Sequence, residues 1–246
     1  MLGLMSTRIL EPEVMDTEDE AEEYDAMDFS EPNTRFAEDA LRLVASVERP
    51  RVLDLGTGTA RIPLLMLERH PELTVVAVDL SESMLRVAAR HVASLGLGSR
   101  IELSKMDGKA LDLTPASFDL VMSNSVAHHI PEPADLFREI RRLVTPRGAI
   151  LVRDLFRPLT VEDAREIVDR VAPNDSEKQR GLFFDSLRAA LTVAEVRAIV
   201  SATGLIGVRV ERVSDRHWTA ERAFGTLAAV DAQKEGFDLL NQANAR

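Results

Sequence analysis

From Arg51 to Asp154 the chain alternates short apolar runs with runs of helical period, and this alternation restricts the fold more than any single residue does. The apolar runs are VLDL (52–55), TVVAVD (74–79), RIELS (100–104), FDLVMS (118–123) and AILVRD (149–154). Helical runs lie between them at 60–69, 82–94 and 133–144, with a short piece near 108–112. The strand runs are apolar rather than alternating, as befits strands covered on both faces. Strand–helix alternation implies right-handed crossovers and an α/β, doubly wound, mostly parallel sheet.

The flanks read differently. Thr17-x-x-Glu20 is a capping box leading into DEAEEYDAM, and a second helix starts at Ser30 with Phe36, Ala40, Val44 and Val47 at helical spacing. After Asp154, residues 160–171 and 182–191 read as helices joined by the polar stretch 172–181, and Thr192-x-x-Glu195 opens another that ends near Gly204. IGVRVERV and DRHWTAERA then close the sheet, for seven strands in all. The expected layout is a single domain: an N-terminal helical cap (10–48), a ligand-binding core (50–155), a helical insertion (156–204), two closing strands (205–222) and a tail (223–246) that is a loose helix or disorder.

Net charge is −11, and it is concentrated: residues 11–39 hold thirteen acids and one base, while the remainder has 28 acids and 29 bases. This segment reads as a solvated helix face rather than a docking site for a basic partner. Lys and Arg form no stripe with interleaved aromatics, so nucleic acid is not an expected partner. The chain has no cysteine, which excludes thiolate chemistry and disulfides and points to the cytoplasm. No secretory signal is expected from MLGLMSTRIL, and no apolar run reaches the roughly 20 residues of a membrane span.

The first strand runs into Gly56-Thr57-Gly58. A dinucleotide turn needs a third glycine where Arg61 stands, and a phosphate-cradling loop needs Gly-Lys-Ser/Thr, which is absent. A lone G-x-G is equally a plain tight turn. Acids decide the reading. Asp54 precedes the turn, Asp79 ends the second strand over the same crevice, and Asp107 follows the third. Three carboxylates without Lys or Arg in the turn suit a cationic ligand free of phosphate, and S-adenosylmethionine is one.

VLDLGTGTA, AVDLSESMLRVAAR, SKMDGKAL, FDLVMSNSVAHHIPEP and LFREIRRLVTPRGAILVRD together resemble the class I S-adenosylmethionine-dependent methyltransferases, in particular the small-molecule group that includes the ubiquinone and menaquinone biosynthetic enzymes. The resemblance covers roughly residues 50–155 and implies a Rossmann-like seven-stranded sheet. It implies that Asp54, Gly56, Thr57 and Gly58 form the first cofactor motif, with Thr57 structural. Asp79 then holds the ribose, Leu80 and Met106 sandwich the adenine, Asp107 reads its edge, and Asn124 meets the methionine backbone. Each has a plainer alternative: Leu80 and Met106 as core, Asp107 as a cap, Asn124 as a turn residue. Arg61 pairs with the methionine carboxylate or faces water.

His128-His129 suggests two roles. A metal site is not expected, because adjacent loop residues rarely converge on one ion and no Cys or His at ligand spacing joins them. A general base is the other role, against packing. Asp154 is a candidate to bind or deprotonate an acceptor, or else forms a salt bridge with Arg153 or Arg157. Tyr24 is a lid over the cofactor or part of the core, and His217-Trp218 packs against a helix. The implied reaction is in-line methyl transfer to a small-molecule acceptor, yielding S-adenosylhomocysteine with no metal. The alternatives are a protein that binds S-adenosylmethionine without transferring methyl and a nicotinamide oxidoreductase on a similar sheet. The 10–48 and 156–200 helices are expected to close a pocket over the strand ends.

Overall fold

A computed structural model describes residues 7–11 and 16–226. The chain forms α1 (Glu18–Asp25), α2 (Ser30–Leu43), β1 (Arg51–Leu55), α3 (Arg61–Arg69), β2 (Thr74–Asp79), α4 (Glu82–Leu95), β3 (Ile101–Lys105), β4 (Phe118–Asn124), α5 (Pro133–Leu143) and β5 (Val144–Leu155). It continues with α6 (Val161–Val171), α7 (Glu177–Ala189), α8 (Val193–Ala202), β6 (Arg209–Arg212) and β7 (His217–Arg222). Almost all of the tail expected from 223 to 246 lies outside the described residues.

The strands make one seven-stranded sheet in the order β3-β2-β1-β4-β5-β7-β6. The pairs from β3 to β5 are parallel, whereas β7 runs antiparallel to both β5 and β6. Direction along the order reverses between β1 and β4, so a crevice opens beyond their C-terminal ends.

Alternation along each strand divides the core between two faces. Val52, Ala77, Leu120 and Leu151 pack with Phe36 and Ala40 of α2, Met66 of α3 and Ala88 of α4. Leu53, Val76, Val121 and Ile150 pack on the other face with Phe137 and Ile140 of α5 and Val196 and Val200 of α8. Trp218 is fully buried in this second layer. The helix starts are set locally. Ser81 accepts from the Met84 amide, and Thr17, Thr160, Ser176 and Thr192 each complete a capping box. Each such cap contributes about 1 kcal/mol.

Four expectations change. Residues 10–48 are not one cap: α2 lies on α3, β4 and β5 as an ordinary layer helix, because its apolar stripe is complementary to the sheet. Residues 156–204 divide similarly. Helices α6 and α7 pack together around Leu155, while α8 covers α5 and β6. The polar stretch 172–181 contains the start of α7, whose box Ser176-x-x-Gln179 is a helix signal inside a turn-like composition. Residues 108–112 are a turn with no helix. No helix among the described residues is long and apolar enough to cross a membrane.

Candidate active site

The turn after β1 is tied to the end of β2. Gly56 N and Thr57 N both donate to Val78 O at 2.9 Å. Gly58 N donates to Asp79 Oδ2 at 2.7 Å, and Ser81 N donates to Asp79 Oδ1 at 2.9 Å. Asp79 therefore fixes the glycine turn and the start of α4 together. Gly56 has φ +72°, and a Cβ there would lie 2.3 Å from Val126 Cγ2. Both the backbone angle and the packing require glycine.

A cavity of about 410 Å³ opens above this turn, lined by Asp54, Gly56, Thr57, Gly58, Asn124 and Tyr24 among others. Asp54 is 3% exposed; burial raises its carboxyl to about 7, and the charge of Asp79 adds to the rise while Thr57 opposes it. Asp79 is also raised by burial, against the pull of its backbone donors. Among the described residues neither acid forms an ion pair. The Thr57 hydroxyl lies beside Asp54 and is the group that opposes its rise. Two desolvated acids beside a turn with open backbone fit a cationic ligand that carries hydroxyl groups and disfavour a pyrophosphate.

The remaining cofactor candidates sit elsewhere. Asn124 ends β4 and lines the cavity, whereas Asp79, Leu80, Met106 and Asp107 do not line it. Met106 N donates to Asp79 O at 3.1 Å, so the β3 end lies beside the ribose candidate. Asp107 accepts from Lys109 N at 2.9 Å and pairs with Lys109 Nζ at 3.0 Å, which caps the turn there.

Tyr24 lies over Gly58, its Cε1 being 3.8 Å from the Cβ position of that residue. Burial raises its hydroxyl, and Asp79, Asp25 and Asp54 add to the rise. Helix α1 is held in place by acids that the sequence presented as a solvated face. Asp25 pairs with Arg61 at 3.0 Å and His91 at 2.9 Å, Glu23 with Lys178 at 3.0 Å, and Glu22 with Arg90. Asp16 accepts from Ser81 Oγ at 3.1 Å. The segment's partners are thus bases and hydroxyls of its own chain. Arg61, read as a methionine-carboxylate partner or a solvated side chain, meets Asp25 instead.

A second cluster forms where β4 and β5 end. His128 Nδ1 contacts Asp154 Oδ1 at 2.6 Å, and His128 N donates to Asp154 Oδ2 at 3.0 Å. Leu155 N also donates to Asp154 Oδ1 at 2.6 Å. Burial alone would lower the His128 imidazole, but Asp154 and Glu11 raise it; burial alone would raise Asp154, but His128 holds it low. Asp154 is 1% exposed and takes three hydrogen bonds across its two oxygens, so it is engaged by its own chain rather than open to an acceptor. Its partner is His128, whereas Arg153 pairs with Asp39 and Arg157 with Glu195. The other imidazole nitrogen of His128, Nε2, lies 3.3 Å from Glu11 Oε1, and His129 Nδ1 lies 3.1 Å from that oxygen. Local spacing could not reveal Glu11, whose position precedes the pair by well over a hundred residues. Arg8 completes the link by donating to Ile130 O at 2.9 Å and His128 O at 2.7 Å.

Residues 53–152 match the family model described as a methyltransferase domain. Over those 100 of 246 residues the chain is similar to a methyltransferase domain. Trans-aconitate 2-methyltransferase of Azoarcus sp. (strain BH72) is 32% identical over 125 residues, 51% of this chain and 47% of that protein. Malonyl-[acyl-carrier protein] O-methyltransferase of Geobacter sulfurreducens is 29% identical over 188 residues, 73% of this chain and 67% of that one. The crystal structure of a SAM dependent methyltransferase from Aquifex aeolicus superposes with a TM-score of 0.61 at 20% identity, over 84% of this chain and 98% of that one. The chain spans about half the length of the first of these relatives. The match to the methyltransferase domain takes in the glycine turn and the histidine pair but leaves out Glu11, Tyr24 and Asp154.

Proposed function

We propose that the chain transfers a methyl group from S-adenosylmethionine to a small-molecule acceptor in the cytoplasm. The observation that carries this is the enclosed pair of unneutralised acids, Asp54 and Asp79, at the glycine turn of a methyltransferase domain. When bound, S-adenosylmethionine supplies an electrophilic methyl on a sulfonium whose leaving group is already activated. The chain supplies position and charge. Asp54 faces the ammonium, Gly56, Thr57 and Gly58 present backbone and hydroxyl to the tail, and Asp79 accepts from the ribose. Asn124 meets the methionine backbone; Leu80, Met106 and Asp107 lie outside the cavity, so their adenine roles require the ligand to reach past it to the β3 end beside Asp79. Tyr24 keeps water from the transfer site. Orientation of this kind supplies about 7–11 kcal/mol of the barrier.

Asp154 is engaged by His128, and His128 Nε2 faces Glu11 Oε1, so neither stands open to an acceptor as a general base; His129 is the remaining candidate of the pair. An acceptor that is already an anion needs none. The names of two relatives specify trans-aconitate and malonyl-[acyl-carrier protein], both of which carry a carboxylate ionised at neutral pH. A small carboxylate is the acceptor class proposed here. The test is S-adenosylhomocysteine release, followed by mass spectrometry, across panels of carboxylic acids, phenols and thiols. Turnover with carboxylates is expected. Release only with phenols overturns the acceptor class. Tight binding with no release in any panel favours a binding protein over an enzyme.

A further inference from the structure

We propose that Glu11, His128 and His129 form a binding site for a divalent first-row transition cation, zinc foremost, that clasps the N-terminal segment to the β4–α5 loop. The three donor atoms, Glu11 Oε1, His128 Nε2 and His129 Nδ1, lie within 4.8 Å of one another. Glu11 Oε1 is 3.3 Å from His128 Nε2 and 3.1 Å from His129 Nδ1. Tetrahedral zinc with bonds of about 2.0–2.1 Å sets its ligand atoms roughly 3.3 Å apart, so both edges fit with little movement.

The surroundings are those of a built site. Glu11 Oε1 is buried and takes no hydrogen bond, although two imidazoles stand within ion-pair reach. A cation held between that oxygen and the two ring nitrogens would satisfy it. The other Glu11 oxygen is held by Ser186 Oγ at 3.1 Å, which orients the carboxylate. Asp154 accepts from His128 Nδ1 and so turns the Nε2 lone pair toward the centre, the carboxylate–histidine–metal arrangement that fixes tautomer and ring plane. Two imidazoles and one carboxylate suit zinc and its neighbours better than calcium or magnesium, which favour oxygen ligands. Three donors among the described residues leave a fourth position for a further ligand such as water.

A cation here joins parts of the chain that are distant in sequence. Residues 8–11 are already pinned by Arg8 to the carbonyls of the same loop and by Ile9 N to Arg188 O at 3.2 Å. The metal adds a strong cross-link to a seam otherwise held by hydrogen bonds.

The test is calorimetric titration of the untagged full-length chain with Zn²⁺ after chelator dialysis, with Co²⁺ as a spectroscopic probe. The expected result is one Zn²⁺ per chain and d–d bands from Co²⁺ in a low-symmetry N/O site. Glu11→Gln and His129→Asn, both outside the sheet core, are expected to weaken Zn²⁺ more than about 100-fold, and Asp154→Asn about 10–100-fold as an outer partner. Zn²⁺ is also expected to slow proteolytic cutting next to residues 7–11. No saturable Zn²⁺ binding by the wild type overturns the proposal, as does an affinity that Glu11→Gln and His129→Asn both leave unchanged. Circular dichroism of each variant keeps loss of fold separate from loss of the ligand.

Discussion

Asp54→Asn is expected to stabilise the ligand-free chain above pH 7 while removing most of its affinity for S-adenosylmethionine. Burial raises the Asp54 carboxyl from 3.8 to about 7, a difference that corresponds to a ceiling of about 4 kcal/mol. The direction follows from proton counts. Between pH 3.8 and about 7 the unfolded chain has released this proton and the folded chain still holds it. Stability therefore falls as pH rises through that window and stays low above it. The amide carries no charge to desolvate, but its donors lack partners in the same place, so a gain of about 2 kcal/mol is expected rather than the full ceiling. Urea unfolding of both proteins, above and below the window, measures this. A cationic ligand reverses the balance, because it neutralises a charge that the empty cavity leaves unpaired. Removing one member of such a buried pair costs about 2–5 kcal/mol, so affinity is expected to fall about 30-fold or more. A variant that is no more stable at high pH and binds as well as the wild type contradicts the role assigned to Asp54.

Gly56→Ala carries the second large effect. Its Cβ would meet Val126 Cγ2 at 2.3 Å, and the backbone holds φ +72°. Overpacking costs about 1–3 kcal/mol, and the left-handed angle adds about 1–2 kcal/mol for a residue with a Cβ. The expected loss is about 2–5 kcal/mol, read from urea midpoints at constant m. Adding Val126→Ala removes the clash but not the backbone strain, so the double variant is expected to recover part of the loss and keep about 1–2 kcal/mol of it. A single-variant loss below about 0.5 kcal/mol contradicts the rigid seat described for this turn.

Much of the fold could be read from the sequence because its signals are local. Ser81, Thr17-x-x-Glu20 and Thr192-x-x-Glu195 announce helix starts within four residues, and the apolar runs mark strands covered on both faces. The β5 strand extends from Val144 rather than 149: Val144 pairs with Phe118 and Ala149 with Leu120, and the turn-like Thr145-Pro146-Arg147-Gly148 forms the irregularity between them. The role of α2 was not legible. Its spacing shows an amphipathic helix, but only the sheet shows which surface the stripe meets. In the candidate site, Asp54, Gly56 and Asp79 were legible because a strand, a tight turn and the next strand end fix their mutual placement. Glu11, Arg8 and Asp25 were not, because their partners His128, Ile130 and His91 come from distant segments and charge alone does not choose among many possible pairs. The acidic segment looked solvated for the same reason.

We propose that the enclosed acids at the glycine turn hold a sulfonium nucleoside. The most direct test is calorimetric titration of the full chain with S-adenosylmethionine and, separately, with NAD, repeated on Asp79→Ala. The expected result is saturable heat with S-adenosylmethionine, none with NAD, and a large loss of affinity in the variant. Heat with NAD but not with S-adenosylmethionine, or an Asp79→Ala chain that binds as the wild type does, contradicts it.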